Sequence, residues 1–100
     1  MKYIYTAVIS PSENKDRYYA RVPDLPGCIT TGHSLEDAIE QITDAASGWL
    51  VVAEDENLDI AAPTDQAVIS HSPSDVLSLI CIDTIAYRAA QFRGCSPSGA

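Results

Sequence analysis

Four residues carry the side chains from which a zinc site or a thiol enzyme is built: Cys28, His33, His71 and Cys81. No pair among them has the short ligand spacing of a structural zinc site. Nucleophilic attack by Cys28 with His33 as base would need an activated thiolate and a third group to orient the imidazole. A plainer role for Cys28 is that of a small residue packed behind Gly27. Metal-dependent phosphodiester cleavage makes a different demand, carboxylates from neighbouring strands that hold two ions about 4 Å apart. The first strand-like segment contains no acid; Asp24 lies among turn formers and Asp83 closes an apolar run, so they read as a turn residue and a cap. The sequence therefore assigns no catalytic residue, no metal ligand and no cofactor.

Binding is the remaining class, and charge says to what. Six Lys and Arg against fourteen Asp and Glu leave a net charge of −8, a field that repels phosphate backbones and draws in a basic protein. Direct DNA binding is not expected. The same acidity also serves plain solubility. The N-terminus has no apolar leader core, and no run of about 18 apolar residues occurs, so neither export nor a membrane span is expected. Three widely spaced cysteines, Cys28, Cys81 and Cys95, with no C-x-x-C pair, suit reduced thiols in a cytoplasm.

The elements that position these groups follow from pattern. With 46% hydrophobic and 20% charged residues in 100 positions, the chain has the composition of one folded domain, expected over 1–92 with a frayed tail over 93–100. Residues 3–10 and 17–22 are β-branched and aromatic and flank Pro11-Ser12-Glu13-Asn14-Lys15-Asp16, which predicts an antiparallel hairpin. Alternation puts Tyr18, Ala20 and Val22 on one face and Arg17, Tyr19 and Arg21 on the wetter one. Pro23-Asp24-Leu25-Pro26-Gly27 is a shaped loop, followed by a short strand over 28–31 that stops at Gly32.

Ser34 is a helix N-cap with Asp37 three residues on. From there Leu35, Ala38, Ile39, Ile42, Ala45, Ala46, Trp49, Leu50 and Ala53 keep the i, i+3, i+4 rule of a core-facing helix that fades near Glu54-Asp55-Glu56. Gly48 inside it suggests close packing on the sheet. Residues 57–75 form a long connection. Val76 to Ile82 is an unbroken apolar run, expected as a central strand covered on both faces. Asp83 or Thr84 then caps a short helix over 85–92 with Ile85, Ala89 and Phe92 on one stripe. The fold class is α+β, in the order β-β-β-α-β-α: a small antiparallel or mixed sheet with one long helix packed on it.

Val22-Pro23-Asp24-Leu25-Pro26-Gly27-Cys28, then Gly32, then Ser34-Leu35-Glu36-Asp37-Ala38, and downstream Ile82-Asp83-Thr84-Ile85-Ala86-Tyr87-Arg88, resemble the signature segments of the HicB antitoxin family over roughly residues 3–88. The resemblance implies a partial RNase H-like fold without its catalytic acids. It also implies an antitoxin that binds and covers a basic, RNA-cleaving toxin of the HicA type. Many members add a C-terminal DNA-binding domain; the twelve residues after Arg88 are too few to build one.

Within that reading the partner-binding candidates are Tyr19, Asp24, Leu25, Pro26, Glu36, Glu40 and Asp44. Each has a plainer alternative. Residues 23–28 serve as a rigid crossover or as a ledge for a partner; the helix acids are a solvated face or the contact for a basic toxin; the hairpin tyrosines pack on the helix or form an interface. An exposed sheet edge makes a homo-oligomer the expected assembly. A solitary self-associating HicB-like module without a toxin is the alternative function.

Overall fold

In the computed structural model the described residues are 2–14 and 16–92, excluding the side chains of Gln91 and Phe92. The tail expected over 93–100, Cys95 and the place of Phe92 on the last helical stripe lie outside them. The hairpin forms as the composition predicts, from β1 (Lys2–Pro11) and β2 (Tyr18–Arg21), with Val8 opposite Arg21 and Pro11 opposite Tyr18. Strand β3 (Ile29–Gly32) pairs antiparallel with β2, and β4 (Val76–Asp83) pairs antiparallel with β1 from Lys2↔Asp83 to Ile9↔Val76. The sheet order is β3-β2-β1-β4.

Helix α1 (Leu35–Asp55) lies on one face of this sheet. It starts where a reciprocal cap satisfies two orphan donors: the Asp37 N–H donates to Ser34 Oγ at 3.1 Å, and the His33 N–H donates to Asp37 Oδ2 at 2.9 Å. It stops at Asn57, which takes the left-handed φ of 59° that asparagine tolerates, while the Leu58 N–H returns to the Ala53 carbonyl. Ala38, Ile42, Ala46 and Leu50 on the helix meet Tyr5, Ala7, Ile9, Ala20, Ile80 and Ile82 from the sheet, all of them buried. At about 1.5 to 3 kcal/mol for each large side chain, this single layer of contact is the main source of stability.

The place of β4 differs from expectation. It is an edge strand, and alternate residues on it, Leu79 at 61% exposure and Cys81, face away from the helix into the open. The cause is that, among the described residues, no helix covers the second face of the sheet. Only part of that face is shielded: Thr6 and Val8 lie on it and are buried, near where Arg21 donates to the Ser70 carbonyl in the segment leading into β4. That segment also holds one 3-10 turn, Gln66–Val68, capped by Asp65.

Helix α2 (Thr84–Phe92) begins where Asp83 Oδ1 accepts from the Ile85 and Ala86 N–H groups. It folds back onto α1 around the Glu54 and Asp55 carboxylates. Glu54 accepts from the Tyr3 hydroxyl at 2.7 Å, the Thr84 hydroxyl at 3.0 Å and Arg88 at 3.2 Å, while Arg88 also pairs with Asp55 at 2.8 Å. The bond to Glu54 pushes the Tyr3 phenol up to about 12, and the same bond, helped by Thr84 and Arg88, holds Glu54 below the usual carboxylate range. Its full strength requires Tyr3 protonated and Glu54 ionised. Stability from this hub is therefore present at neutral pH. It is lost as pH falls through the lowered Glu54 value, and again as pH rises from about 10 towards about 12. Glu54→Gln should cost about 2 kcal/mol at pH 7 in urea unfolding, with the gap to the parent protein closing below the carboxylate range.

Candidate partner-binding site

The loop between β2 and β3 is held by its own backbone. The Val22 N–H donates to the Cys28 carbonyl, Leu25 to Val22 and Cys28 to Leu25, with Gly27 at φ 80° completing the turn. This geometry drives Leu25 inward to 1% exposure and leaves Pro26 outside. Leu25 is thus a core residue and leaves the set of partner-binding candidates: two flanking prolines constrain the backbone, and the apolar side chain takes the buried side. Asp24 is committed to the chain itself, accepting from the Thr64 N–H at 2.8 Å and from its hydroxyl, which ties the loop to the connection after α1.

The loop is also the first wall of a groove. Trp49, on the flank of α1, donates its indole N–H to the Pro26 carbonyl at 3.0 Å, which fixes the ring against the loop. Beyond it along α1 stand Gly48 and Val52, with Leu58 past the helix end and Tyr87 of α2 on the far side. Val52 and Leu58 are 51% and 52% exposed. A second hollow on the other side of the indole runs from Asp24 and Pro26 to Asp59 and Ile60. The result is a shallow apolar strip centred on Trp49 and rimmed by Asp24, Asp44 and Asp59. The phenol of Tyr87 is raised by burial and by the charge of Asp44. Gly48 faces Tyr87 rather than the sheet: an added Cβ would sit 3.6 Å from the Tyr87 hydroxyl, ordinary contact, so the glycine is not there for close sheet packing.

Of the candidates read from the sequence, the structure brings Asp24, Pro26 and Asp44 to this strip. Glu36 and Glu40 are exposed on α1 and, at four-residue spacing, continue the acidic line from Asp44 towards the helix start. Tyr19 stands apart. It is 47% exposed, opposite Ser10 and Thr31, on the sheet face that does not carry α1. Trp49, Val52 and Leu58 also form the apolar part of the groove, a role that periodicity does not announce. Trp49 keeps its place on the core stripe as a partly buried side chain and borders the groove as well, whereas Val52 falls off that stripe and is the one available signal of a second apolar surface.

Cys28 is buried behind the groove and burial pushes its thiol up, the wrong direction for a nucleophile. Among the described residues no group of three His, Cys, Asp or Glu is placed to hold a metal. No helix among them is long and apolar enough to cross a membrane. What the strip offers is a set of aromatic and aliphatic anchors inside an acidic rim, the composition of a protein-binding patch.

Comparison with known proteins agrees on family and fold. A family model described as the HicB_like antitoxin of bacterial toxin-antitoxin system matches residues 5–93. Among solved structures, a toxin-antitoxin complex from Streptococcus pneumoniae is similar with a TM-score of 0.72 at 14% identity, covering 87% of this chain and 73% of that one. The N-terminal domain of the Burkholderia pseudomallei antitoxin HicB aligns with a TM-score of 0.66 at 20% identity, over 80% of this chain and 98% of the other. A HicA3 and HicB3 toxin-antitoxin complex gives 0.63 at 20% identity, with the same coverage. No curated protein sequence matches the chain.

Proposed function

The chain belongs to the HicB-like antitoxin family of bacterial toxin-antitoxin systems, and from that premise we propose that it neutralises a basic, HicA-type mRNA interferase by seating the toxin on the Trp49 strip and occluding its active site. The observation that carries this reading is the pairing of an exposed apolar strip with an acidic rim on a chain of net charge −8. The rim and the helix acids Glu36, Glu40 and Asp44 steer a basic partner in; Trp49, Val52 and Leu58 supply the contact that holds it. The role is binding rather than catalysis, carried out in the cytoplasm and without direct contact to DNA.

The test is a titration of a purified HicA-type toxin with this protein, read both as inhibition of RNA cleavage and as binding by calorimetry. Cleavage is expected to stop near one equivalent. The association rate should fall several-fold as salt rises from about 0.05 to about 0.3 M, because the steering charges are solvent-exposed. Undiminished cleavage at excess antitoxin would refute the assignment, and binding without inhibition would refute occlusion.

A further inference from the structure

We propose that Tyr87 is a toxin-contacting residue and that Arg88 is the residue that positions it, by clamping α2 across the end of α1 so that Tyr87 forms the far wall of the Trp49 strip; the contact role rests on the strip being the toxin site. The starting point is how α2 docks. A helix of nine residues is too short to be stable by itself, and its apolar stripe does not hold it: Ile85 is 68% exposed, and Ala89 is exposed too. Among the described side chains of α2 the buried or half-buried ones are Thr84, Tyr87 and Arg88, and each ends in a polar group.

Arg88 spans the last turn of α1. Its guanidinium donates to the Val51 carbonyl at 3.3 Å and to Glu54 at 3.2 Å, and it pairs with Asp55 at 2.8 Å. That turn has no basic residue of its own and runs into Glu54-Asp55-Glu56, so a cation from the neighbouring helix meets the negative end of the α1 dipole. A guanidinium presents its donors as a planar fork, which suits three separate acceptors better than the point charge of a lysine. With Arg88 seated there, the residue before it is laid along α1 towards the middle of the helix. The Tyr87 hydroxyl stands over Gly48, 3.6 Å from where a Cβ would be, and near enough to Asp44 for that carboxylate to raise the phenol. Tyr87 then lines the same hollow as Trp49 and Val52. A half-buried tyrosine fixed in this way is an interface anchor that loses little freedom on binding.

The sign of one substitution separates positioning from electrostatics. Arg88→Ala makes the chain one charge more negative, so steering alone would speed association with a basic toxin and tighten the complex. Positioning requires the opposite, about tenfold weaker binding carried by faster dissociation. Titration of Tyr87→Ala, Arg88→Ala and the double variant against a HicA-type toxin closes a cycle: if Arg88 acts through Tyr87, its removal costs nothing further once Tyr87 is gone. Arg88→Lys, which keeps the charge but not the fork, should fall between Arg88→Ala and the parent, and takes its place if Arg88→Ala does not fold. In the free protein, the nuclear Overhauser effect between the Tyr87 ring and the Gly48 α-protons should be lost in Arg88→Ala while the amide spectrum of the sheet is unchanged. Binding to Arg88→Ala as tight as to the parent or tighter, losses that add in the double variant, or a Tyr87–Gly48 effect that survives Arg88→Ala overturns the proposal. A parent protein that binds no toxin overturns the contact role of Tyr87 together with the functional assignment; the Tyr87–Gly48 effect needs no toxin and still decides whether Arg88 sets the wall.

Discussion

Val52→Lys is expected to weaken the toxin complex by about thirtyfold or more while leaving the thermal unfolding midpoint almost unchanged. Val52 is 51% exposed and lies off the buried stripe of α1, so the free protein loses little when it is replaced. In the complex the same position lies among Trp49, Leu58 and Tyr87, where a lysine must shed water to enter an apolar contact and adds positive charge against a basic partner. Loss of a central interface anchor typically costs about 2 kcal/mol or more, and each 1.4 kcal/mol is about tenfold in affinity. Calorimetric titration against a HicA-type toxin reads the effect. A reversal of Asp44 to Lys provides the contrast: it should slow association and flatten the salt dependence, with a smaller change in the dissociation rate. Affinity unmoved by Val52→Lys would place the toxin elsewhere.

Gly32→Ala should be the most damaging single methyl in the chain, lowering stability by about 3 kcal/mol and moving the urea midpoint down accordingly. Gly32 ends β3, buried directly beneath the first turn of α1. An added Cβ would stand 2.6 Å from Ala38 Cα, closer still to Ala38 N and 2.9 Å from the Asp37 carbonyl carbon. All three are backbone atoms, so no rotamer change relieves the overlap. Either the strand or the helix start must shift, and the second choice strains the Ser34–Asp37 cap. Overpacking ordinarily costs about 1 to 3 kcal/mol, and overlap of a Cβ with fixed backbone belongs at the upper end of that range. A midpoint equal to that of the parent protein would show that the helix entry is soft.

Local chemistry made much of this structure legible. Ser34 and Asp37 marked the start of α1 because a cap needs only residues within one turn, and the hairpin was visible because turn formers separate two β-branched runs. Long-range relations were less so. An apolar run such as 76–82 looks the same whether layers cover both of its faces or only one. Leu25 sat among turn residues, and its burial depends on hydrogen bonds that close the loop, which no local pattern announces. In α1 the helical period shows which residues can share a face but not where the sheet stops covering that face, so the stripe predicts that Trp49 packs on the core and is silent on the groove it borders. The acids were found by type and placed on α1, whereas the apolar anchors between them required the neighbouring loop and α2 to be in position.

The chain has a single tryptophan, and its indole is the one tied to the Pro26 carbonyl in the middle of the strip. The molecule thereby carries an intrinsic optical probe at the place where a toxin is proposed to sit. Excitation near 295 nm, where tyrosine absorbs little, reports on that one ring. Covering it with a partner should shift its emission to shorter wavelength and protect it from iodide quenching, so occupancy of the strip can be followed on the unlabelled protein.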